Sequence, residues 1–148
     1  KWPNDVLLGG RKVAGILIES GLKGREVSYA IVGIGLNAGF DPRTYPEIAA
    51  IATSLAAELG RPVSPWEVLP RLIAELDRLY LALKAGEPVH QWWKARLETL
   101  GQRVRVTSQG RIEEGVALDV NQEGNLLLQR PDGSLVSLSS GEVTILRS

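Results

Sequence analysis

No cysteine occurs among the 148 residues, which excludes disulfides, thiolate nucleophiles and cysteine-ligated zinc. The single histidine, His90, has no companion at metal-ligand spacing and reads as an ordinary helix residue. Net charge is lacking too. Seventeen basic side chains cancel seventeen acidic ones, so no global field draws the chain to nucleic acid or to an anionic membrane. There is no apolar run long enough to span a bilayer, the first residues show no signal-peptide pattern, and no internal repeat or low-complexity tract stands out. Absence of disulfides suits the cytoplasm. The chain starts at Lys1 rather than Met, with no lead-in before its richest motif, which reads as a fragment or a processed piece. At this length one ordinary core can be buried, or one modest core plus a small satellite domain.

What is present is concentrated in the first twenty residues. Gly9-Gly10 between two apolar runs predicts a two-residue hairpin turn, because both central positions need positive φ. Pairing then sets Leu8 opposite Arg11, Leu7 opposite Lys12, Val6 opposite Val13 and Asp5 opposite Ala14. Opposed residues point to the same face. Asp5, Leu7, Lys12, Ala14 and Ile16 are therefore expected on one face, and Val6, Leu8, Val13, Gly15 and Leu17 on the other. Asp5 and Lys12 become diagonal neighbours about 7–8 Å apart at the backbone, close enough to converge on a ligand without quenching each other. A one-residue slip would send Lys12 to the opposite face. A surface hairpin carrying a solvated ion pair is the ordinary alternative for such a pattern.

Trp2-Pro3 is expected to be extended, since proline disfavours the helical region for the residue before it. A polar loop over residues 21–25 ends the second strand near Ser20. Residues 27–36 predict a third strand. Ala30, Val32, Ile34 and Leu36 form an apolar face fit to be covered by helices. Tyr29, Ile31, Gly33, Gly35 and Asn37 lie on the other face. Two glycines in a strand interior leave a bare backbone floor where a flat ring could lie, with the Asn37 amide at its edge; a bulge explains the same glycines. Gly33-Ile34-Gly35 is not a dinucleotide fingerprint, because the third glycine and the following helix are missing.

Further along, a loop with Pro42 leads into an alanine-rich helix over residues 46–59, stopped by Gly60. Ser64-Pro65-Trp66-Glu67 is a capping box with proline at the first helical position. Leu69, Leu72, Ile73, Leu76, Leu79, Tyr80 and Leu83 follow at steps of three and four, and Gly86 ends that helix. A shorter helix sets Val89, Trp92, Trp93, Leu97 and Leu100 along one face, where the tryptophans read as core rather than as stacking platforms. After Gly101 the texture changes to alternating runs at residues 104–107, 115–120, 126–129, 135–138 and 143–146. Turn residues at Gln109-Gly110, Glu123-Gly124-Asn125 and Asp132-Gly133 separate them. Five short strands predict a small SH3-like barrel. Its five arginines face six acidic residues, a net of −1, which makes a poor nucleic-acid module. The fold class is α+β: a partial mixed or antiparallel sheet covered by helices over residues 1–99, then an SH3-like β-barrel over residues 100–148.

Lys1-Trp2-Pro3-Asn4-Asp5, followed by Lys12-Val13-Ala14-Gly15-Ile16-Leu17-Ile18-Glu19, closely resembles the signature of biotin–protein ligases (biotin–[acetyl-CoA-carboxylase] ligases). Gly33-Ile34-Gly35-Leu36-Asn37, the Ala52-Thr53-Ser54-Leu55 tetrad, the helices and the small barrel occur in that family in this order. The resemblance implies a class II synthetase-like catalytic fold whose N-terminal part is missing, and an enzyme that activates biotin with ATP to biotinyl-5'-AMP. Biotin is then transferred to a lysine of a biotin carboxyl carrier domain. It implies that Lys12 contacts the biotin carboxylate and then the acyl phosphate, where a fixed cation stabilises developing charge. Asp5 would stand beside the acceptor amine and favour loss of its proton. Asn4 and Asn37 would bind nucleotide, Gly33 and Gly35 would lie under the ligand, Gly15 and Ile16 would line the same site, and Lys1 would face the phosphates. Magnesium would travel with ATP, without a dedicated protein cage. The family's glycine- and arginine-rich loop and the DNA-binding helix-turn-helix of some relatives are absent. The chain alone is accordingly expected to be inactive and to associate through its exposed sheet, a possible homodimer. A non-catalytic binding module and a related lipoate-type ligase are the alternative readings.

Overall fold

The computed structural model describes residues 1–24, 26–108 and 110–146. Arg25 of the expected loop, Gln109 of the expected Gln109-Gly110 turn and the last two positions of the barrel domain lie outside the described residues. The fold is α+β, with two antiparallel sheets and few helices. Two compact units emerge, one of residues 4–77 and one of residues 1–3 with 78–148.

The first unit is built on a three-stranded sheet, order β1-β2-β3, from β1 (Asp5–Leu8), β2 (Arg11–Lys23) and β3 (Glu26–Leu36). β2 does not stop near Ser20. It runs on to Lys23 because the hairpin turns only at Gly24, whose φ is +67°. The expected helical cover is largely missing: Leu17, Ile18, Val27, Tyr29, Ile31 and Val32 are exposed on both faces, and Val13 and Ala14 are the buried pair. The expected helix over residues 46–59 also contracts. A 3-10 turn at Pro42–Thr44 and linked turns up to Ala52 precede an α-helix, α1 (Leu55–Leu59), of one turn. Alanine content favours helix only weakly. Here Ile51, Ala52 and Thr53 are instead drawn into extended pairing beside Lys12. Ser54 caps α1 through the Ala57 N–H, and Gly60 ends it at φ +64°.

The long helix, α2 (Pro65–Lys84), begins as the capping box predicts. The Ser64 N–H donates to Glu67 Oε1 at 3.2 Å, and Ser64 Oγ accepts from the Trp66 N–H at 3.2 Å. Leu72 and Leu79 are half-buried, whereas Leu69, Ile73, Leu76, Tyr80 and Leu83 are exposed. In the second unit, α3 (Val89–Lys94) precedes an antiparallel five-stranded sheet of order β7-β6-β5-β4-β8. Its strands are β4 (Arg103–Ser108), β5 (Arg111–Val120), β6 (Leu126–Gln129), β7 (Leu135–Leu138) and β8 (Glu142–Ile145). Alternation on β4 and β6 turns Val104, Val106, Leu126 and Leu128 inward, and Leu97, Ala117, Val120 and Val143 complete the core with them. Trp92 and Trp93 are not in it: Trp92 is half-buried with the Arg78 guanidinium 6.0 Å from its ring centroid, and Trp93 is exposed. The tryptophan at the centre is Trp2. Residues 2–4 form a turn with a cis Trp2–Pro3 bond rather than the expected extended segment.

Candidate functional site: an ion pair over a glycine floor

The hairpin turns at Gly9-Gly10, with φ of 55° and 76°, and pairs Leu8 with Arg11 and Leu7 with Lys12. The next pairs differ from expectation. Val6 faces Ala14 and Asp5 faces Gly15, because β2 bulges by one residue at Val13. A bulge puts two residues against one and reverses the side-chain parity beyond it. Val13 and Ala14 are thus both buried, and Gly15 joins the face of Asp5 and Lys12. Ile16 moves to the opposite face, paired with Ile34. Gly35 stands opposite Gly15 and Gly33 opposite Leu17, so the floor is three glycines rather than two. Ala14 and Ile16, expected beside Lys12, leave that face; Gly15 and Leu17 replace them.

Lys12 does not stay apart from Asp5. Its Nζ lies 2.6 Å from Asp5 Oδ1, in place of the open diagonal read from the pattern. The four-carbon stem is flexible enough to span that diagonal, and Gly15 has no side chain to prop it away. A Cβ added at Gly15 would come within 3.4 Å of Lys12 Cε and 3.5 Å of Nζ. Over Gly33 and Gly35 such an atom would approach only backbone oxygens, at 3.7 and 4.0 Å. The Asp5 side chain is 16% exposed and that of Lys12 49%, so the carboxylate is sheltered and the ammonium half-open to solvent.

The backbone of Lys12 is held on its other edge. Its N–H donates to the Ile51 carbonyl at 2.8 Å and its carbonyl accepts from the Thr53 N–H at 2.9 Å, a parallel bridge to Ala52. Residues 51–53 take the place beside β2 that β3 vacates at Leu36. Asn37 sits at that junction. Its N–H donates to the Val13 carbonyl at 2.9 Å, and its side-chain Nδ2 donates to the Thr53 carbonyl at 3.0 Å and the Lys12 carbonyl at 3.4 Å. The amide donor expected to read the edge of a ring is spent on holding the strand of Lys12. Beneath it, the buried Thr53 hydroxyl meets Glu58 Oε1, which also pairs with Arg11 Nη2 at 2.7 Å. Thr53 and Glu58 carry no sequence signal for this role beyond their place around the Ser54 cap. Asn4 is fixed by its carbonyl, which accepts from the Ile16 N–H at 2.9 Å; Lys1 belongs to the other compact unit. A cavity of about 410 Å³, lined by Leu55, Leu59, Val63 and the Arg61–Glu67 pair among others, lies elsewhere in the unit.

An ammonium above bare backbone has the charge and the room to meet a carboxylate or a phosphate beside a flat group. Known proteins give this geometry a family. Residues 1–37 match the biotin/lipoate A/B protein ligase family, and residues 99–146 match the biotin protein ligase C-terminal domain. The chain belongs to the biotin protein ligase family. It is 36% identical over 140 residues to a biotin–[acetyl-CoA-carboxylase] ligase of Paracoccus denitrificans, covering 92% of this chain and 58% of that one. With the bifunctional ligase/repressor BirA of Bacillus subtilis it shares 31% over 136 residues, 90% of this chain and 42% of that one. The chain therefore spans about half the length of the curated relatives it matches. Among solved structures, the biotin protein ligase of Aquifex aeolicus in complex with biotin and ATP superposes with a TM-score of 0.76 at 25% identity, over 99% of this chain and 61% of that one.

Among the described residues of this biotin protein ligase chain, no three His, Asp or Glu side chains gather so as to hold a metal ion. No described helix is long and apolar enough to cross a membrane.

Proposed function

We propose that this chain carries one side of the active site, and the C-terminal domain, of an ATP-dependent biotin–protein ligase. The carboxylate of biotin attacks the α-phosphate of ATP, giving biotinyl-5'-AMP and releasing pyrophosphate. A lysine amine of a biotin carboxyl carrier domain then attacks the acyl carbon, forming the amide and releasing AMP. Residues 1–99 form the catalytic portion and residues 100–148 the C-terminal domain.

The observation that carries this reading is the Lys12–Asp5 pair above Gly15, Gly33 and Gly35. In the first step Lys12 exchanges Asp5 for the biotin carboxylate and offsets the charge that builds on the phosphate oxygens. Asp5, released from that pair, accepts a hydrogen bond from the incoming ammonium, orients it and takes its proton. The glycine floor lets a ring lie close to the backbone, with Asn4 and Asn37 at the nucleotide end and Ile16 supporting from behind. Asn37 acts through the backbone of Lys12, by the hydrogen bonds described above. Mg²⁺ would come with ATP rather than from a protein cage and would supply charge neutralisation at the phosphates. The Aquifex relative binds biotin and ATP together, and the Paracoccus relative is named for acetyl-CoA carboxylase as acceptor; both support the assignment. The match over residues 99–146 to the biotin protein ligase C-terminal domain favours biotin over lipoate. A cytoplasmic location, and self-association as a homodimer through the exposed sheet, belong to the same proposal.

The test is radiolabelled biotinyl-adenylate formation with saturating ATP and biotin, by the chain alone and with the upstream half of a relative added. Little turnover is expected alone, and recovery on complementation. Lys12→Ala in the recovered assay should cost about 10²–10³-fold, or roughly 2.7–4 kcal/mol. Asp5→Ala should slow transfer to the carrier domain more than adenylate formation. Equal losses in both half-reactions would count against the separate roles.

A further inference from the structure

The Ala52-Thr53-Ser54-Leu55 tetrad stands out in the sequence, and the chemistry above leaves it unused. The fold sets it beside Lys12. Both peptide groups of Lys12 turn toward this stretch rather than toward β1. Its N–H donates to the Ile51 carbonyl at 2.8 Å, and its carbonyl accepts from the Thr53 N–H at 2.9 Å. The register of β1 and β2 breaks just past that point, at the bulge. A cation whose backbone rests on three extended residues is aimed only as well as those residues are held.

A carboxylate holds that stretch from behind. Thr53 is completely buried, and its hydroxyl donates to Glu58 Oε1. The same oxygen accepts from Arg11 Nη2 at 2.7 Å. Glu58 stands on α1, one residue past the position from which a capping-box carboxylate reaches back to its cap. α1 is itself seated on the chain that leaves β3. The Leu55 and Ala56 N–H groups donate to the Asn37 and Ala38 carbonyls at 2.9 Å each, and Ser54 Oγ donates to the Phe40 carbonyl. Arg11 directly precedes Lys12, and successive side chains of a strand leave on opposite faces. Glu58 thus ties down the residue before Lys12 and the residue across from it, from the face that the ammonium does not use. The Arg11 and Glu58 side chains are 40% and 28% exposed, so as an ion pair they contribute little. The bond to the buried hydroxyl matters more, because its loss strands a polar group. Resting on the ligase reading, we propose that Glu58 is a positioning residue for Lys12. Through Thr53 and Arg11 it fixes the backbone from which the ammonium reaches the biotin carboxylate and the α-phosphate, and the tetrad supplies the hydroxyl it grips.

Amide hydrogen exchange on the full chain, without biotin or ATP, reads the backbone directly. Glu58→Ala removes the acceptor, and Thr53→Val removes the donor at nearly constant volume. In each, exchange at the Lys12 amide should rise about five- to tenfold, as for the loss of one buried hydrogen bond. The Ile16 amide, which donates to the Asn4 carbonyl on the opposite edge of β2, should stay protected, as should those of Leu126 and Leu128. Glu58→Gln keeps an acceptor oxygen at the same reach and should retain most of the protection at Lys12. The second measurement is the complemented adenylation assay, run as a double-mutant cycle with Lys12→Ala. Glu58→Ala alone should slow adenylate formation about tenfold. Added to Lys12→Ala it should slow it no further, because no ammonium is left to aim. A residue that serves the fold alone would cost the same in both backgrounds. If Lys12→Ala itself costs nothing, the ligase reading falls, and exchange at Lys12 then decides by itself whether Glu58 holds that backbone. Wild-type protection at Lys12 in Glu58→Ala and Thr53→Val would overturn the proposal. An equal rise at Ile16, or independent losses in the cycle, would overturn it as well.

Discussion

Two sheets in one chain use nearly the same apolar residues and meet opposite fates. In the barrel, Val104, Val106, Leu126 and Leu128 are completely buried. In the three-stranded sheet, Leu17 is 69% exposed and Ile31 59%, and Val32, on the other face of β3, is exposed as well. A shared core makes the difference. Five strands in the order β7-β6-β5-β4-β8 curl around their own inward residues and recruit Trp2 and Leu97. Three strands whose two faces are both apolar make a layer that needs further layers over it. An apolar pattern thus records that a face is meant to be covered, but not that the cover lies in the same stretch of chain. The sheet side carries the ion pair on an open surface, while the barrel side carries the packed core.

The largest effect that could break this contrast concerns stability. Leu128→Ala should cost about 2–5 kcal/mol in urea unfolding, since it deletes methyl and methylene groups from a fully packed core. Leu17→Ala should shift stability by less than about 0.5 kcal/mol. Its effect should appear instead in sedimentation, as weaker self-association, because it removes apolar surface from an exposed sheet. Comparable unfolding costs for the two would mean that the sheet is covered in solution by something the chain itself provides.

How far each region could be read from the sequence follows the same division. The five barrel strands were legible, because short alternating runs between turn glycines have few other solutions, and the observed bounds differ from the expected ones mainly at the ends of β4 and β5. The Gly9-Gly10 turn and the first two pairs beyond it were legible for the same reason. The bulge was not. Val13 and Ala14 are both small or branched and apolar, so nothing marks one of them as an extra residue, and everything beyond changed face. Residues 46–51 read as helix because local propensity cannot see that residues 51–53 have a long-range partner in Lys12. Trp2 was illegible in another way: its partners Thr99 and Gly124 stand 97 and 122 residues away. No local pattern encodes contacts of that range.

A smaller effect sharpens the reading of the open face. Gly35→Ala adds a Cβ whose nearest neighbour is the Gly15 carbonyl oxygen at 4.0 Å, an ordinary contact. Restricting the unfolded chain should then stabilise the protein by about 0.4–1 kcal/mol. The same methyl group stands where a ring would lie, so affinity for the nucleotide or biotin should fall in a calorimetric titration. Higher stability with unchanged affinity would show that the glycines serve the sheet alone and that the ligand lies elsewhere.

The smallest effect belongs to the barrel surface and runs on pH. Arg130 donates to both oxygens of Glu113, from Nε at 2.7 Å and Nη2 at 2.8 Å. That hydrogen-bonded fork, with the guanidinium charge, holds the Glu113 carboxyl below the usual glutamate value of about 4.3. Lys94, 2.6 Å from Asp119, together with the Val120 N–H, does the same for that carboxyl. In both cases the folded state binds its proton less readily than the unfolded state. The stabilisation is therefore fully present above the unfolded values and is lost as pH falls through the lower, folded ones. Both pairs are open to solvent, so the loss is modest and weakens further with salt. Exchange protection at Leu126 and Leu128 should thus be flat from neutral pH down to about 5, after correction for intrinsic exchange, and should fall below about 4. Glu113→Gln should flatten part of that acid limb while leaving Ile16 protection at neutral pH as it was. An acid limb unchanged in Glu113→Gln would mean that the fork is an exposed pair of no energetic consequence, and that the barrel owes its rigidity to its core alone.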